Sequence, residues 1–414
     1  MVTSSPQVSF QVDIARPHSN LDLTIMQLIR HVIKRKRFNT PAPNSTPYPN
    51  FESLVFQAEE EFIMSLSLGT PPQRFAVIMD TGSDLIWTQC MPCYTCYHQP
   101  TSIFNPNTSS SFSPLPCTNS LCTGSRTKKC ETNLCKYKTL YGDKSFTRGY
   151  LATDTFILGD YILNVSIPNI AFGCGDNNSG SGLDIVAGIV GLGRGPLSLV
   201  SQLKSKKFSY CLPMLGENMK GTLSFGSLAD KGCNNASNSQ STPILVNPAS
   251  PSHYYLSLVA ISLDDILLPI TKTTFEIKKD GSGGVILDTG TTLTYLVQEA
   301  YQVLKQEFIT RTRLHVVFFP YTTDLDLCFQ TPTGRNASSF NYPKLKLHFE
   351  GNVVLELPKD NYLTEDKRAR TMCLTIMPSN GMSLLGSQLQ QNFVVLHDLE
   401  KQTVSFFPSQ CAYD

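Results

Sequence analysis

Beyond residue 60, apolar residues occur in short runs or alternate with polar ones, and Gly, Pro, Asn and Asp separate the runs. The clearest runs are FIMSLSL, RFAVIM, YLATDTFIL, TLSFG, YYLSLVAISL, KLKLHF and FVVLHDL. Helical periodicity is sparse, and its best example is residues 297–311, where apolar residues recur at a spacing of four: Leu296, Ala300, Leu304 and Phe308. Regularly spaced short strands predict an all-β body of sandwiches or barrels.

The first 50 residues follow a different pattern. Residues 21–37 place five apolar residues on one helical face and end in a basic tail. These five are Ile25, Leu28, Ile29, Val32 and Ile33. The next stretch, FNTPAPNSTPYPNF, contains four prolines, which is typical of a linker. A basic amphipathic helix and a Pro-rich linker are therefore predicted before the β-rich body.

Composition narrows the class of protein. The 414 residues include 34 Lys+Arg and 33 Asp+Glu, 41% apolar residues and 16% charged ones, as expected of a globular chain. The balanced charge argues against a general nucleic-acid-binding surface, and no GxxxxGK[ST] phosphate loop occurs. The apolar stretches are far shorter than the roughly 20 residues of a membrane-spanning helix. We therefore expect neither a nucleic-acid partner nor a membrane span.

Thirteen cysteines indicate an oxidising compartment, because cytosolic chains rarely keep so many thiols. Six N-x-[ST] sequons are candidate N-glycosylation sites and fit a secreted glycoprotein: Asn44, Asn107, Asn164, Asn177, Asn235 and Asn336. The first 20 residues contain no apolar run typical of a signal peptide. An incomplete or trimmed N-terminus would reconcile the two observations.

One feature occurs twice in the body. Residues 75–87, FAVIMDTGSDLIW, and residues 284–296, GVILDTGTTLTYL, each place an apolar strand directly before Asp-Thr-Gly-[Ser/Thr]. Each copy is followed about a hundred residues later by an apolar-Gly element, GIVGLG at 188–193 and SLLGSQ at 383–388. A duplicated lobe explains the recurrence.

An Asp that ends an apolar strand is expensive to bury unless it is paired or hydrogen-bonded. Asp80 and Asp288 occupy equivalent positions, so we predict that they meet at a pseudo-twofold axis and share one proton at acid pH. Such a pair can activate a water for amide hydrolysis without a metal, a cofactor or a covalent intermediate. A single Asp-Thr-Gly would more often be a simple β-turn, but two strand-led copies favour the catalytic interpretation. The glycines allow tight turns and the hydroxyls can hold the carboxylates: Thr81, Gly82, Ser83, Thr289, Gly290 and Thr291.

Nearly the whole chain resembles the pepsin-type aspartic endopeptidases, in their atypical, nepenthesin-like plant branch. The resemblance rests on EFIMSLSLGTPPQRFAVIMDTGSDLIWTQC, GVILDTGTTLTYLVQEAY and the C-terminal GSQLQQNFVVLHDLEKQTVSFFPSQC. It implies two homologous β-barrel-like lobes with a cleft between them, Asp80 and Asp288 as the catalytic pair, and Thr81 and Thr289 locking the two loops together. The expected organisation is a prosegment at 1–50, an N-terminal lobe at 51–245 and a C-terminal lobe at 246–414.

The family also carries a β-hairpin flap. LYGDKSFTRGYL at 140–151 resembles it, with the flap expected at about 138–151, Tyr141 and Gly142 at the substrate, and Trp87 as the tyrosine's partner. A sole Trp would otherwise be a plain core aromatic. Lys144 stands where the family usually has Gly, and non-Gly residues seldom adopt a left-handed turn.

A cysteine-rich insert at about 88–135 is the most branch-specific feature. Taken alone, its C-x2-C-x2-C could be a zinc or redox motif. A zinc site usually has a second C-x2-C pair farther along the chain, and a redox motif usually lies in a βαβ unit, and the sequence shows neither. We therefore favour neither motif and expect no metal. The resemblance implies six disulfides and assigns Cys233 to none of them: Cys90–Cys93, Cys96–Cys174, Cys117–Cys135, Cys122–Cys130, Cys211–Cys411 and Cys328–Cys373.

The resemblance implies an acid endopeptidase made as a zymogen, which acts on peptide and protein substrates as a monomer. Residues 1–50 carry six Lys/Arg and two Asp, so they could lie over an acidic cleft and inhibit it until acid protonates the carboxylates. A basic helix that binds membranes or stays solvated is the alternative.

The expected location is the extracellular apoplast, with the vacuole as the alternative. Rival functions are a catalytically silent relative that inhibits glycosidases or binds another protein, and a structural cell-wall glycoprotein.

Overall fold

The computed structural model describes most of the chain after residue 60. Its described residues are 10–15, 55–58, 61–122, 128–159, 164–180, 182–214, 220–231, 233, 240–317, 325–331, 340–366 and 369–411. They form two compact units, which we call unit 1 (Met1–Lys231 with Cys411–Asp414) and unit 2 (Gly232–Gln410). The predicted helix at 21–37 and the Pro-rich linker before residue 50 lie outside the described residues. Where the chain is described, none of its helices is long and apolar enough to cross a membrane.

Unit 1 consists mainly of β-strands. Its strands are β1 Phe10–Ala15, β2 Val55–Ala58, β3 Glu61–Leu68, β4 Gln73–Asp80, β5 Trp87–Gln89, β6 Ser113–Pro114, β7 Lys128–Glu131, β8 Leu134–Leu140, β9 Phe146–Gly159, β10 Asn164–Ser179, β11 Gly188–Gly191, β12 Lys207–Cys211 and β13 Lys220–Phe225. Its described residues also form a short α-helix, α1 Leu199–Gln202, and 3-10 turns at Pro106–Thr108 and Gly226–Asp230.

In the described part of unit 1, six strands close into a barrel. The order is β3, β4, β11, β5, β10 and β9, and β9 pairs again with β3. Side chains along β9 alternate between the interior and the surface, as the period of two in YLATDTFIL predicts. Four phenylalanines meet edge to edge in the interior, and each buried ring contributes roughly 1.5–3 kcal/mol: Phe75, Phe104, Phe156 and Phe172.

Strand β1 falls inside the predicted prosegment. It pairs antiparallel with β13 along its whole length, from Phe10 opposite Phe225 to Ala15 opposite Lys220. The sequence prediction placed a helix and a linker in residues 1–50 and did not anticipate this strand. The alternation in FQVDIA is the pattern that could have indicated it.

Unit 2 is also mostly strand. Its strands are β14 Gln240–Leu245, β15 Tyr254–Leu256, β16 Leu258–Leu263, β17 Ile266–Leu267, β18 Val285–Leu287, β19 Thr294–Val297, β20 Val316–Val317, β21 Cys328–Gln330, β22 Leu345–Phe349, β23 Val353–Glu356, β24 Leu363–Asp366, β25 Thr371–Leu374, β26 Ile376–Ser379, β27 Ser383–Leu385, β28 Phe393–Asp398 and β29 Thr403–Pro408. Strand β14 pairs with β15 and β29 of this unit. Residues before the expected lobe boundary at 245 therefore belong to unit 2.

The predicted helix near 297–311 is present as α2, Gln298–Thr312. Its buried face carries Ala300, Leu304 and Phe308, three of the apolar residues that predicted it, together with Tyr301. Tyr301 donates a hydrogen bond of 2.6 Å to Asp326 Oδ2, so its polar end is satisfied although the ring is buried. The helix ends where Arg313 adopts a left-handed backbone conformation.

Candidate active site

Asp80 is the last residue of β4, and its carboxylate is held by its own loop. The Gly82 amide donates to Asp80 Oδ1 at 2.8 Å, and the Ser83 hydroxyl donates to Asp80 Oδ2. The side chain is only 6% exposed. A buried carboxylate that accepts two such hydrogen bonds is fixed in orientation, as the Asp-Thr-Gly-Ser pattern predicted.

Asp288 follows β18 of unit 2 in the same way. The Gly290 amide donates to Asp288 Oδ1 at 3.0 Å, the Thr291 hydroxyl donates to Asp288 Oδ2 at 2.7 Å, and Asp288 is 8% exposed. Thr81 and Thr289, the middle residues of the two motifs, are both completely buried. The two loops thus have equivalent carboxylate contacts in different units.

The apolar-Gly elements that recur after the two motifs support the loops. Strand β11 runs parallel to β4 and β27 parallel to β18. The Gly193 amide donates to the Ser83 carbonyl at 2.8 Å, and the Ser387 amide donates to the Thr291 carbonyl at 2.7 Å. A Cβ at Gly386 would lie 2.2 Å from a backbone carbonyl oxygen, so only Gly allows this close approach. This close contact explains why an apolar-Gly element accompanies the Asp-Thr-Gly motif.

The predicted flap is the hairpin of β8 and β9, which closes at Leu140 opposite Phe146. Tyr141 starts its turn, and its hydroxyl accepts a hydrogen bond of 2.8 Å from Trp87 Nε1. Trp87 is almost fully buried in the core of unit 1, so the indole anchors the flap. Burial raises the pKa of Tyr141 well above its ordinary value, and the negative charge of Asp80 raises it further. Tyr141 therefore keeps a neutral hydroxyl on the Asp80 side of the flap.

Lys144 occupies the turn of the flap in a left-handed conformation, with φ of 72°. Its amide donates to the Tyr141 carbonyl at 3.1 Å, and the Tyr141 amide donates to the Ser145 carbonyl at 2.9 Å. Asp143 Oδ1 accepts from both the amide and the hydroxyl of Ser145. The turn therefore forms with Lys where the family usually has Gly, against a local backbone preference.

Replacing Lys144 by Gly is expected to raise the free energy of unfolding by about 0.5–1 kcal/mol, because Gly adopts positive φ without strain. Lys144→Ala is the matched control, since it removes the same side chain but keeps the Cβ, and its stability should equal that of the parent. Urea unfolding of both variants measures the difference. Equal stability of the Gly and Ala variants would show that the turn is unstrained.

Tyr97 is a site neighbour that the sequence reasoning missed. It lies in the cysteine-rich insert, and its ring packs edge-on against Trp87 with centroids 6.4 Å apart. Its backbone amide donates to Gln89 Oε1 at 3.1 Å, and Gln89 Nε2 donates to its carbonyl at 3.0 Å. The insert thus contacts the indole that holds Tyr141. No periodicity in the insert sequence distinguishes this tyrosine from the exposed Tyr94 nearby.

Comparison with known proteins gives consistent matches along both units. Residues 62–227 match the family model described as xylanase inhibitor N-terminal, and residues 253–408 match the one described as xylanase inhibitor C-terminal. The chain is 43% identical to aspartic proteinase nepenthesin-1 of Nepenthes gracilis over 97% of its own length and 90% of that protein. This chain belongs to the nepenthesin-like branch of the pepsin-type aspartic proteinases.

A second relative supports this assignment, and a solved structure supports the fold. Nepenthesin-2 of the same plant is 40% identical over 98% of the chain and 91% of that protein. The crystal structure of edgp superposes with a TM-score of 0.69 at 20% identity, and the match covers 86% of this chain and 93% of the other. The structural likeness confirms the all-β pepsin-like fold predicted from the sequence.

The disulfides of this nepenthesin-like chain differ from the expected set. Two of them, Cys211–Cys411 and Cys328–Cys373, are paired as the resemblance implied. The other four expected pairings are wrong: the structure has Cys90–Cys174, Cys93–Cys96, Cys117–Cys130 and Cys122–Cys135. Cys233 lies outside these six bridges. The three cysteines of the C-x2-C-x2-C motif are therefore bonded as disulfides, and their thiolates do not form a zinc site.

Strand pairing and burial explain the corrected disulfides. Strands β5 and β10 are neighbours, and the Cys90 amide donates to the Gly175 carbonyl at 2.9 Å, which places Cys90 beside Cys174. In the insert, Cys122 and Cys135 belong to the buried core cluster, whereas Cys130 is exposed. The two inner cysteines pair with each other, and so do the two outer ones. Sequence spacing could not distinguish these choices.

The two insert bridges allow a matched experiment, because each joins cysteines 13 positions apart and so contributes about 3 kcal/mol of loop entropy. We expect Cys122→Ala/Cys135→Ala to lower the free energy of unfolding by about 1–2 kcal/mol more than Cys117→Ala/Cys130→Ala, because only the former leaves a cavity in the core. Thiol titration in denaturant checks the pairing as well. Two additional thiols in either double variant would show that the original pairing implied by the family is correct.

Three of the predicted glycosylation sites lie on described residues. Asn107 and Asn164 are exposed, and Asn177 is half-buried on β10. The other three, Asn44, Asn235 and Asn336, lie outside the described residues. Asn107 and Asn164 are therefore the described sequons best placed to accept a glycan.

Proposed function

We propose that this protein is an aspartic endopeptidase that hydrolyses peptide bonds at acid pH, with Asp80 and Asp288 as its catalytic pair. One observation carries the assignment of the residues. The two carboxylates end equivalent strands, and each accepts one hydrogen bond from a loop glycine and one from a loop hydroxyl. The relatives named aspartic proteinases, at 43% and 40% identity, support the same activity.

In the proposed reaction the ionised carboxylate removes a proton from a bound water, and the water oxygen attacks the peptide carbonyl carbon. The protonated carboxyl group gives its proton to the carbonyl oxygen, which forms a neutral tetrahedral diol. The carboxyl group that took the water proton then gives it to the peptide nitrogen, and the other carboxylate takes a proton from one diol hydroxyl. The C–N bond breaks, a carboxylic acid and an amine are released, and the pair again shares one proton. Because the two carboxylates share one proton, this cycle requires acid pH.

The residues around each carboxylate have separate roles in this proposal. Ser83 and Thr291 fix one oxygen of each Asp, and the buried Thr81 and Thr289 position the loops. Tyr141, held by Trp87, covers Asp80 from the flap and keeps bulk water from the reacting carbonyl. Gly142 lets substrate backbone approach the flap, because nothing lies within 4 Å of the position that a Cβ would occupy.

We further propose that residues 1–50 act as an inhibitory prosegment. Strand β1 is joined to unit 1 by its register with β13, so the N-terminal segment is anchored by a sheet. Its net charge of +4 would be attracted to ionised carboxylates at neutral pH and released when acid protonates them. Six disulfides fit secretion to an oxidising compartment, with glycans at the exposed sequons.

Cleavage of acid-denatured globin between pH 2 and 7 tests the proposal. We expect activity only at acid pH, inhibition by pepstatin, and no activity in the Asp288→Asn variant. The glycosidase-inhibitor interpretation is not favoured, because both carboxylates have their supporting contacts and the relatives are proteinases. Correctly oxidised protein that inhibits a xylanase but cleaves no globin after acid treatment would reverse this conclusion.

A further inference from the structure

The flap hairpin has two faces with different chemistry. Cys135 and Tyr137 of β8 point into the core of unit 1, and Tyr141 continues the same alternation toward Trp87. The intervening residues of β8 and their partners on β9 therefore point the other way. We call these six residues the outer flap face: Lys136, Lys138, Leu140, Phe146, Arg148 and Tyr150.

Two cations of the outer flap face are opposite each other. Lys138 pairs directly with Arg148, and both side chains are exposed. Like charges in directly opposed positions are destabilising by several tenths of a kcal/mol. Among the described residues neither cation forms an ion pair, whereas the neighbouring Lys136 lies 3.6 Å from Asp176. This pair of cations is therefore available to an external anion.

Each pair of opposed residues on β8 and β9 forms one row of the outer flap face, and the row next to the two cations is apolar. Leu140 lies opposite Phe146 and is 66% exposed, so the two residues place apolar surface beside the cation pair. The Arg148 guanidinium lies 5.1 Å from the Phe146 ring centre, so stacking holds its planar donors beside this row. The two rows are two residues apart, or about 6.7 Å. A ligand that fits both rows presents an acidic group and an apolar group at that spacing.

An extended peptide has this spacing, because its alternate side chains are also about 6.7 Å apart. We propose that the outer flap face is an exosite that binds an extended acid-x-apolar segment of a protein substrate, remote from the bond that is cleaved. The acidic side chain lies between Lys138 and Arg148, and the apolar one packs on Leu140 and Phe146. This inference rests on the proposed function, since the bound protein is the substrate. It concerns the face opposite Tyr141, so the segment does not compete with the scissile peptide for the flap.

One predicted N-glycosylation site lies beside the exosite. Asn177 of β10 lies opposite Arg148 in the same row, and Asn177 is the asparagine of a sequon. A glycan there would stand beside the cation pair. Every protein in the test therefore carries Asn177→Gln, and the unsubstituted protein is measured in parallel.

The test compares three substrates that share one scissile segment. The first is a short peptide, the second adds a flexible extension with repeated Asp-Ser-Phe, and the third adds the same extension with Asn-Ser-Phe. The measurements are made at about pH 5, where the Asp side chains of the extension are ionised. We expect the Asp extension to give a KM about tenfold lower than the Asn extension at low salt, and the difference to disappear at about 1 M salt. In Lys138→Glu/Arg148→Glu the Asp extension should lose this advantage, with a KM equal to or above that of the Asn extension, because carboxylates then face it. The control Lys272→Glu/Lys279→Glu reverses two exposed cations of unit 2 and should keep the difference.

The outcomes separate the exosite from the proposed function. Failure to cleave the short peptide would contradict the endopeptidase assignment itself. Normal cleavage of the short peptide with equal KM for both extensions would overturn the exosite alone. Binding of fluorescent Asp-Ser-Phe peptide to the Asp288→Asn full chain, lost on Lys138→Glu/Arg148→Glu, would support the exosite without any activity. If polygalacturonate binds this face and the peptide does not, the surface recognises a polysaccharide and the peptide proposal is wrong.

Discussion

Asp80→Asn is expected to lower kcat for globin cleavage by about 10²- to 10⁴-fold, the range that a positioned acid or base contributes. The substitution keeps the shape of the side chain, and its carboxamide oxygen can still accept from the Gly82 amide or the Ser83 hydroxyl. It removes one of the two carboxyl groups that transfer protons in the proposed reaction. The fold should therefore survive while the chemistry fails.

Asp154→Asn is the matched control for this experiment. Asp154 is also a buried carboxylate of unit 1, 1% exposed, and its Oδ1 accepts from Ser111 at 2.6 Å and Ser109 at 3.1 Å. Its neutralisation should change stability but leave kcat within about twofold of the parent. Steady-state kinetics at the pH optimum, together with urea unfolding of each variant, separate the two effects. Comparable loss of kcat in both variants would mean that Asp80 acts only through the fold.

The second large effect is the pH dependence of stability that His397 creates. His397 lies on β28, completely buried, with its ring 4.5 Å from the ring of Tyr254. Burial lowers the pKa of His397 from 6.5 to about 3. Between these values the unfolded chain binds a proton that the folded chain does not bind. The free energy of unfolding therefore falls by about 1.4 kcal/mol for each unit of pH lost over this window, and the contribution is constant below about pH 3.

In His397→Gln this contribution vanishes, because Gln does not titrate. We expect the loss of stability between pH 6.5 and 3.5 to be smaller than in the parent by roughly 3–4 kcal/mol. Urea unfolding measures it, and both proteins carry Asp80→Asn so that they do not digest themselves. His98→Gln, which replaces an exposed histidine of unit 1, is the matched control for the substitution itself. The same slope in His397→Gln and the parent would show that His397 titrates normally.

Features encoded by local geometry were predictable from the sequence. In Asp-Thr-Gly-Ser the carboxylate is two and three residues from its donors, so the bonds to Gly82 and Ser83 follow from the motif. The flap turn and helix α2 are equally local. The repeat of the motif also indicated two similar halves, although the unit boundary depends on β14 joining β29, which no short stretch of sequence reveals.

Contacts between distant segments were not predictable from the sequence. Four disulfides were misassigned because the choice depends on which cysteines are buried and which strands are neighbours in the fold. The contact of Tyr97 with Trp87 likewise depends on how the insert folds back on the barrel. Strand β1 depends on a partner, β13, some 200 residues away.

The bridge between Cys211 and Cys411 joins two residues of unit 1 that are 200 positions apart, and all but the first part of that interval belongs to unit 2. A single break of the backbone anywhere within the interval consequently leaves one covalent molecule, whose fragments separate on a denaturing gel only after reduction. An enzyme that cleaves proteins in acid meets active copies of itself. This bridge makes a nicked copy a two-chain protein instead of two separate pieces.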